Sequence, residues 1–207
     1  MLRPFRFMAG VIAAVSLTAA CTGVQVAPKV SARAATSVQQ QISKDGGIVW
    51  DRARPIRWID FEGTAPETGA EGAQTGYSLL YGVTCTGAAF DYDVSAVFLP
   101  RRSWVRALVL ADPDEARRTL RHEQTHFDIT EVHARRLRKA LHDIYDPCRN
   151  GRAEVSVDAE RVIAAEADAQ VRYDDETRHG LEAPRQRAWD RDVAGWLSEL
   201  DAYAEKF

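Results

Sequence analysis

The sequence predicts an α+β fold, an N-terminal antiparallel sheet packed on a C-terminal helical half. Three observations carry this expectation. β-Branched and aromatic residues gather in short runs between positions 48 and 99. Gly- and Pro-containing stretches separate those runs. Beyond Asp112 the apolar residues recur instead at helical spacing, with few breakers. Strands first and helices after define an α+β layout.

Ile48-Val49-Trp50 and the alternating Ile56–Phe61 segment are the first two strand candidates, with Pro55 between them. Glu62 to Gly76 holds four Gly and a Pro among polar residues and reads as a loop. Tyr77–Thr86 and Phe90–Leu99 follow as two strands joined through Gly87-Ala88-Ala89 in hairpin fashion. In the second, Asp91, Asp93 and Ser95 alternate with Tyr92, Val94 and Ala96, the pattern of a strand with one wet face.

Asp112-Pro113-Asp114-Glu115 is a helix start: Asp112 caps, Pro113 suits the first turn and Glu115 completes a capping box. From there to Tyr145 no Gly or Pro interrupts, and Pro147 ends the run. Glu154 to about Tyr173 is a second helix, and Pro184–Tyr203 a third, with Trp189, Val193, Trp196, Leu197 and Leu200 on its apolar side.

The segment before the sheet differs in composition. Arg3 and Arg6 precede an uncharged run from Met8 to Ala20. It falls short of the about 20 apolar residues of a bilayer span and suits a signal-peptide core. Leu17-Thr18-Ala19-Ala20-Cys21 resembles the lipobox of bacterial lipoproteins, which implies a lipid anchor to the membrane through Cys21. Cleavage without acylation, giving a soluble exported protein, is the alternative. Residues 1–21 are thus a signal peptide, 22–47 a polar flexible tether, and 48–207 a single domain. Cys85 and Cys148 remain as an even pair, a possible disulfide in the oxidising periplasm or two separate thiols.

The 207 residues are 45% hydrophobic and 28% charged, ordinary for a globular protein, and the net charge of −3 becomes −5 once Arg3 and Arg6 are removed. No basic block offers a nucleic-acid footprint, so no nucleic-acid partner is expected. Oligomeric state is not readable.

The chemistry lies in His122-Glu123-Gln124-Thr125-His126. On a helix, His122 and His126 project from one face a turn apart, so two nitrogens reach one Zn²⁺. Glu123 lies about 100° round the helix, placed to act as general base on a zinc-bound water. A catalytic zinc needs a third protein ligand. His133 sits about 10 Å beyond His126 along a straight helix, and no Gly bends the chain back, so it reads as a partly exposed helix histidine. Glu154, Glu160 and Glu166 on the second helix would give a thermolysin-like set. The cluster Tyr173-Asp174-Asp175-Glu176-Thr177-Arg178-His179-Gly180 offers His179, with Asp175 or Glu176 as its orienting partner or as the ligand itself. Tyr173 could donate to a developing oxyanion. Glu131 and Arg135 read as an ordinary helix ion pair, and Asp128 as a solvated acid.

The stretch His122–Glu131 with Ala134-Arg135, the Tyr173…His179-Gly180 block with Gln186 and Trp189, and the upstream Trp58–Gly63 and Ser103-Trp104-Val105 resemble a bacterial family, domain of unknown function 922. Its members are often labelled secreted zinc-dependent proteases. The resemblance spans roughly residues 50–200. It implies a zincin-like metallohydrolase acting on a peptide or protein substrate outside the cytoplasm, with His122, His126 and His179 as zinc ligands and Glu123 as catalytic base. A cell-wall peptide amidase and a non-catalytic zinc-binding envelope lipoprotein are the alternatives.

Overall fold

A computed structural model describes residues 32–149 and 151–204. The signal peptide, Cys21 and residues 22–31 of the tether lie outside the described residues. The fold is α+β, an antiparallel sheet beside a helical half. Helix α1 spans Ala32–Asp45, and strands β1 (Ile48–Val49), β3 (Tyr77–Thr86) and β4 (Ala89–Phe98) form one sheet in the order β1-β4-β3. Strands β2 (Ala73–Gln74) and β5 (Trp104–Val105) pair separately. Then follow α2 (Ala107–Ala111), α3 (Pro113–Asp143), α4 (Arg152–Thr177) and α5 (Ala183–Glu199). Among the described residues, no helix is long and apolar enough to cross a membrane.

The expected hairpin forms, but Ala89 belongs to the second strand opposite Thr86, leaving a two-residue turn with Gly87 in the left-handed region at φ +64°. Asp112 caps α3, its carboxylate accepting from the Asp114 and Glu115 backbone amides at 2.8 and 3.2 Å. This 31-residue helix is the central element. One flank sets Phe127, Ala134, Leu137 and Leu141 against Val94, Ala96 and Phe98 of β4 and Val155, Ala159 and Val162 of α4. Another sets Ile129 and Val132 against Ala169 and Tyr173 of α4 and Trp189, Val193 and Leu197 of α5.

Several expectations need correction. Residues 32–45, read as tether, form α1, whose buried Val38 and Ile42 pack on Val97 and Leu99. That helix covers the β4 face predicted to be wet, so Asp91, Asp93 and Ser95 are buried on it. The amphipathic run in α1 was short and interrupted by serine and glutamine, which hid its apolar pair. Ile56–Phe61 is not a strand. Asp60 accepts from the Arg57 amide at 2.8 Å and from Arg54 at 2.9 Å, which coils Trp58–Asp60 into a 3₁₀ turn. The loop before Tyr77 contains β2, and α2 precedes α3 as an extra turn of helix.

The Glu131–Arg135 ion pair forms as expected, but deep in the core and as part of a larger network. Glu131, Arg135 and Arg138 are all at most 2% exposed. Glu131 Oε1 accepts from Arg135 Nε at 2.9 Å and Arg138 Nη1 at 3.0 Å. The remaining guanidinium donors reach backbone carbonyls: Arg138 to Val94 and Tyr203, and Arg135 to Leu197 at 2.7 Å. The triad fastens α3 to the sheet, to the end of α5 and to the 201–203 turn. Desolvating three charges is costly, and this is tolerable only because every charge is paired. His133 is likewise buried rather than partly exposed; burial pushes its pKa down to about 4, so it stays a neutral imidazole. Asp128 is not a solvated acid: it accepts from Trp50 Nε1 at 2.7 Å and Gln124 Nε2 at 2.8 Å.

Cys85, near the hairpin tip, is disulfide-bonded to Cys148 in the α3–α4 connection, 63 positions away. Replacing both cysteines by serine should lower unfolding free energy by about 4 kcal/mol, from loop closure in the unfolded chain, measured by urea denaturation. Glu131→Gln leaves two buried guanidinium groups short of a counter-charge and should cost about 3–5 kcal/mol in the same assay.

Candidate metal centre

His122 and His126 lie on the α3 face turned toward α4 and α5, 3% and 8% exposed. Tyr173 of α4 stacks on the His122 ring at 4.6 Å and meets the His126 ring edge-on at 4.8 Å. Gly180 closes over His122 from the other side. A Cβ there would stand 3.0 Å from His122 Cβ, and φ is +80°, so glycine is required twice over.

Two glutamines set the imidazole tautomers. Gln186 Oε1 lies 3.1 Å from His122 Nδ1, and Gln170 Oε1 lies 2.7 Å from His126 Nδ1. Each amide is oriented by its other end: Gln186 Nε2 donates to Asp190 at 2.8 Å, and Gln170 Nε2 to the His126 carbonyl at 3.0 Å. A carbonyl oxygen only accepts, so each Nδ1 carries a hydrogen, and each Nε2 presents a lone pair whenever its ring is neutral. The two Nε2 atoms face one another at 3.1 Å.

Asp174 of α4 completes the convergence. Its Oδ1 is 3.0 Å from Nε2 of His122 and 3.0 Å from Nε2 of His126. Burial alone would raise the Asp174 pKa, but hydrogen bonds and charge from the two imidazoles outweigh it and hold the carboxyl well below its usual range. Burial would lower the His126 pKa, and Asp174 reverses that. Beside this group, Glu123 is 4% exposed and its Oε2 has no hydrogen-bond partner.

His179 reaches the same group from its edge. Arg178, His179 and Gly180 are successively left-handed at φ 48°, 53° and 80°, which doubles the chain back after α4. His179 Nδ1 then stands 3.3 Å from Asp174 Oδ1, with the side chain 61% exposed. Ligand atoms of His122, Asp174 and His179 all fall within 4.8 Å of one another, a set that could hold a metal ion.

The other candidates lie elsewhere. Glu176 accepts from Trp189 Nε1 at 2.9 Å, and Asp175 is exposed. Glu166 is buried beside Thr130 and Gln170 with Oε1 unpartnered, and burial raises its pKa to about 7. The Tyr173 hydroxyl is already used, bonded to Gln186 Oε1 at 2.9 Å and the His122 carbonyl at 3.2 Å, so it is not a free donor. A second phenol, Tyr77 at the start of β3, lies parallel to His126 with ring centroids 6.3 Å apart. Burial, then Glu166 and Asp174, push its pKa upward, so it stays a neutral phenol.

Sequence reasoning missed Asp174, Gln170 and Gln186 as site residues. The signal was in the register of α4. Glu166, Gln170, Tyr173 and Thr177 are its buried polar stripe, and Asp174 is one turn from Gln170 on that side.

An α+β chain with two tautomer-fixed imidazoles and a carboxylate converging on one point is, by fold and donor set, a candidate metal-binding protein. It belongs to the family described as "Bacterial protein of unknown function (DUF922)", which it matches over residues 63–180. That span contains His122, Glu123, His126, Asp174 and His179, and stops short of Gln186. No curated protein and no solved structure matches the chain.

Glu166 makes the metal-free protein's stability depend on pH. Its folded pKa of about 7 lies above the ordinary 4.5, so between those values the folded state binds more protons than the unfolded state. Stability from this group is complete below pH 4.5 and is lost as pH rises toward 7. Glu166→Gln should therefore gain stability over the parent at pH 8 relative to pH 4.5, by up to about 3 kcal/mol, in chelator-treated samples followed by urea denaturation.

Proposed function

We propose that this protein is an exported zinc-dependent hydrolase that cleaves peptide bonds, with His122, His126 and Asp174 holding the ion and Glu123 serving as general base. The observation that carries this reading is the triangle of Nε2, Nε2 and Oδ1, with sides of 3.0–3.1 Å. With the rings neutral and both imidazole hydrogens committed to the glutamines, three lone pairs converge on one point, an arrangement that a shared cation satisfies. Two ligand atoms at about 2.0–2.1 Å from a common tetrahedral zinc stand about 3.3 Å apart, close to the observed spacing. Two imidazoles and one carboxylate also form a donor set for catalytic zinc, leaving a coordination position free.

Asp174 replaces His179 as the preferred third ligand because it is equidistant from both imidazoles, whereas His179 is exposed and stands farther off, 3.3 Å from Asp174 Oδ1 and within 4.8 Å of the His122 ligand atom. Placed at the rim, His179 is suited to steadying Asp174 and a bound substrate. Zinc, when bound, supplies Lewis acidity toward a carbonyl and acidifies water. Glu123 then has a defined task. Its unpartnered Oε2 accepts the proton of the attacking water and returns it to the departing amine as the C–N bond breaks. The outcome is one water consumed and an acid and an amine released. The Cys85–Cys148 disulfide supports an extracytoplasmic location, where such bonds persist.

Metal analysis of the purified protein should find about one zinc per chain. Glu123→Gln should keep that zinc and lose hydrolysis of a peptide library by about 10²–10⁴-fold. Equal turnover in parent and variant across peptide and muropeptide panels would remove the enzyme reading and leave a zinc-binding envelope protein. Asp174→Asn should weaken zinc more than 100-fold, and His179→Ala by about 10-fold, measured by chelator competition. The reverse order would restore His179 as the third ligand.

A further inference from the structure

Two tyrosines flank the imidazole pair, and they differ in one respect. Tyr173 stacks on His122 with its hydroxyl bonded at Gln186 and the His122 carbonyl. Tyr77 lies parallel to His126 at 12° between ring planes, and its hydroxyl makes no hydrogen bond to any described residue. The other hydroxyl and amide side chains around the site are taken. Thr125 Oγ1 bonds Arg121 and Asp190, and Thr130 Oγ1 bonds the His126 carbonyl. Gln170 and Gln186 are engaged at both ends of their amides.

The backbone at Tyr77 is fixed independently of the site. Tyr77 pairs with Phe98 in the sheet register. The preceding Gly76 is tied on both sides, its amide to Ser103 Oγ at 2.9 Å and its carbonyl to the Leu99 amide at 2.8 Å. The phenol is therefore held over His126 by the sheet, not by a bond to its own hydroxyl. A donor placed in advance and left without a protein partner stabilises charge that a bound ligand brings, because no reorganisation is needed when it arrives.

We propose that Tyr77 is a ligand-contacting donor that gives its phenolic hydrogen to an anionic oxygen bound at the His122–His126–Asp174 group. The inference rests on the metal reading above. In the hydrolytic case the recipient is the oxygen that gains charge as the substrate carbonyl becomes tetrahedral. The same donation strengthens binding of a small oxyanion to zinc-loaded protein, so it can be read without turnover.

The probe is acetohydroxamate, titrated calorimetrically into zinc-loaded parent, Tyr77→Phe and Tyr173→Phe, with zinc affinity measured separately by chelator competition. Tyr77→Phe removes a hydroxyl that holds nothing together, so the melting temperature and zinc affinity should match the parent. Its acetohydroxamate affinity should fall about tenfold or more, as for a lost hydrogen bond to a charged group. Tyr173→Phe should show the opposite pattern: weakened zinc, because His122 loses support through Gln186. Equal acetohydroxamate affinity in parent and Tyr77→Phe overturns the inference alone. So does loss of zinc in Tyr77→Phe, or failure of the zinc-loaded parent to bind the probe. If the parent takes up no zinc, the metal reading falls and this inference with it, and the competition assay identifies that outcome.

Discussion

Helix α3 buries fifteen of its residues, and nine of those are polar or charged. Much of the fold follows from that constraint. A buried polar group without a partner costs about 1–3 kcal/mol, and a buried charge costs more. The helix therefore stands only if its neighbours bring partners to it. The sheet brings the Val94 carbonyl to Arg138, and α5 brings the Leu197 carbonyl to Arg135. Helix α4 supplies Gln170 and Asp174, and α5 supplies Gln186. Apolar contacts hold the elements together, but the polar face of α3 decides how they are arranged.

Along α3 these demands fall into two zones. At the Glu131–Arg135–Arg138 end, acceptors and donors balance and the network is closed. At the His122–His126 end they do not. There, when the rings are neutral, both Nε2 atoms and the Asp174 oxygen present lone pairs to each other, and Glu123 keeps an oxygen unused. One zone is complete as folded and reads as structural. The other keeps acceptors to spare, which is why it is the candidate site.

The helical half and the hairpin were legible from sequence because they depend on local signals: the Asp112 cap, the unbroken run after Pro113 and a Gly at the hairpin turn. So were His122, Glu123 and His126, whose spacing carries its own geometry. What was not legible depended on packing. Helix α1 looked like linker because its two buried residues make sense only against Val97 and Leu99. Arg135 read as half of an ordinary helix ion pair, since nothing local shows that α5 covers it. His179 was favoured on the family resemblance, with Asp175, Glu176 and Glu166 as the other options, and Asp174 was not among them. Which member of that acidic cluster faces the imidazoles depends on the rotation of α4, and that is fixed by Tyr173 and Gln170 packing on α3.

Helix α4 is anchored close to its two ends by unlike chemistry. Near its start, Cys148 is covalently joined to the hairpin at Cys85; near its finish, Asp174 meets the α3 imidazoles. The first bond answers to redox conditions and the second to protonation. A reductant frees the leading end of the helix while the trailing end keeps its contacts, and acid strong enough to protonate Asp174 does the reverse. Amide exchange along α4 would then run as a gradient whose direction reverses with the treatment, so that one helix reports separately on two properties of its surroundings.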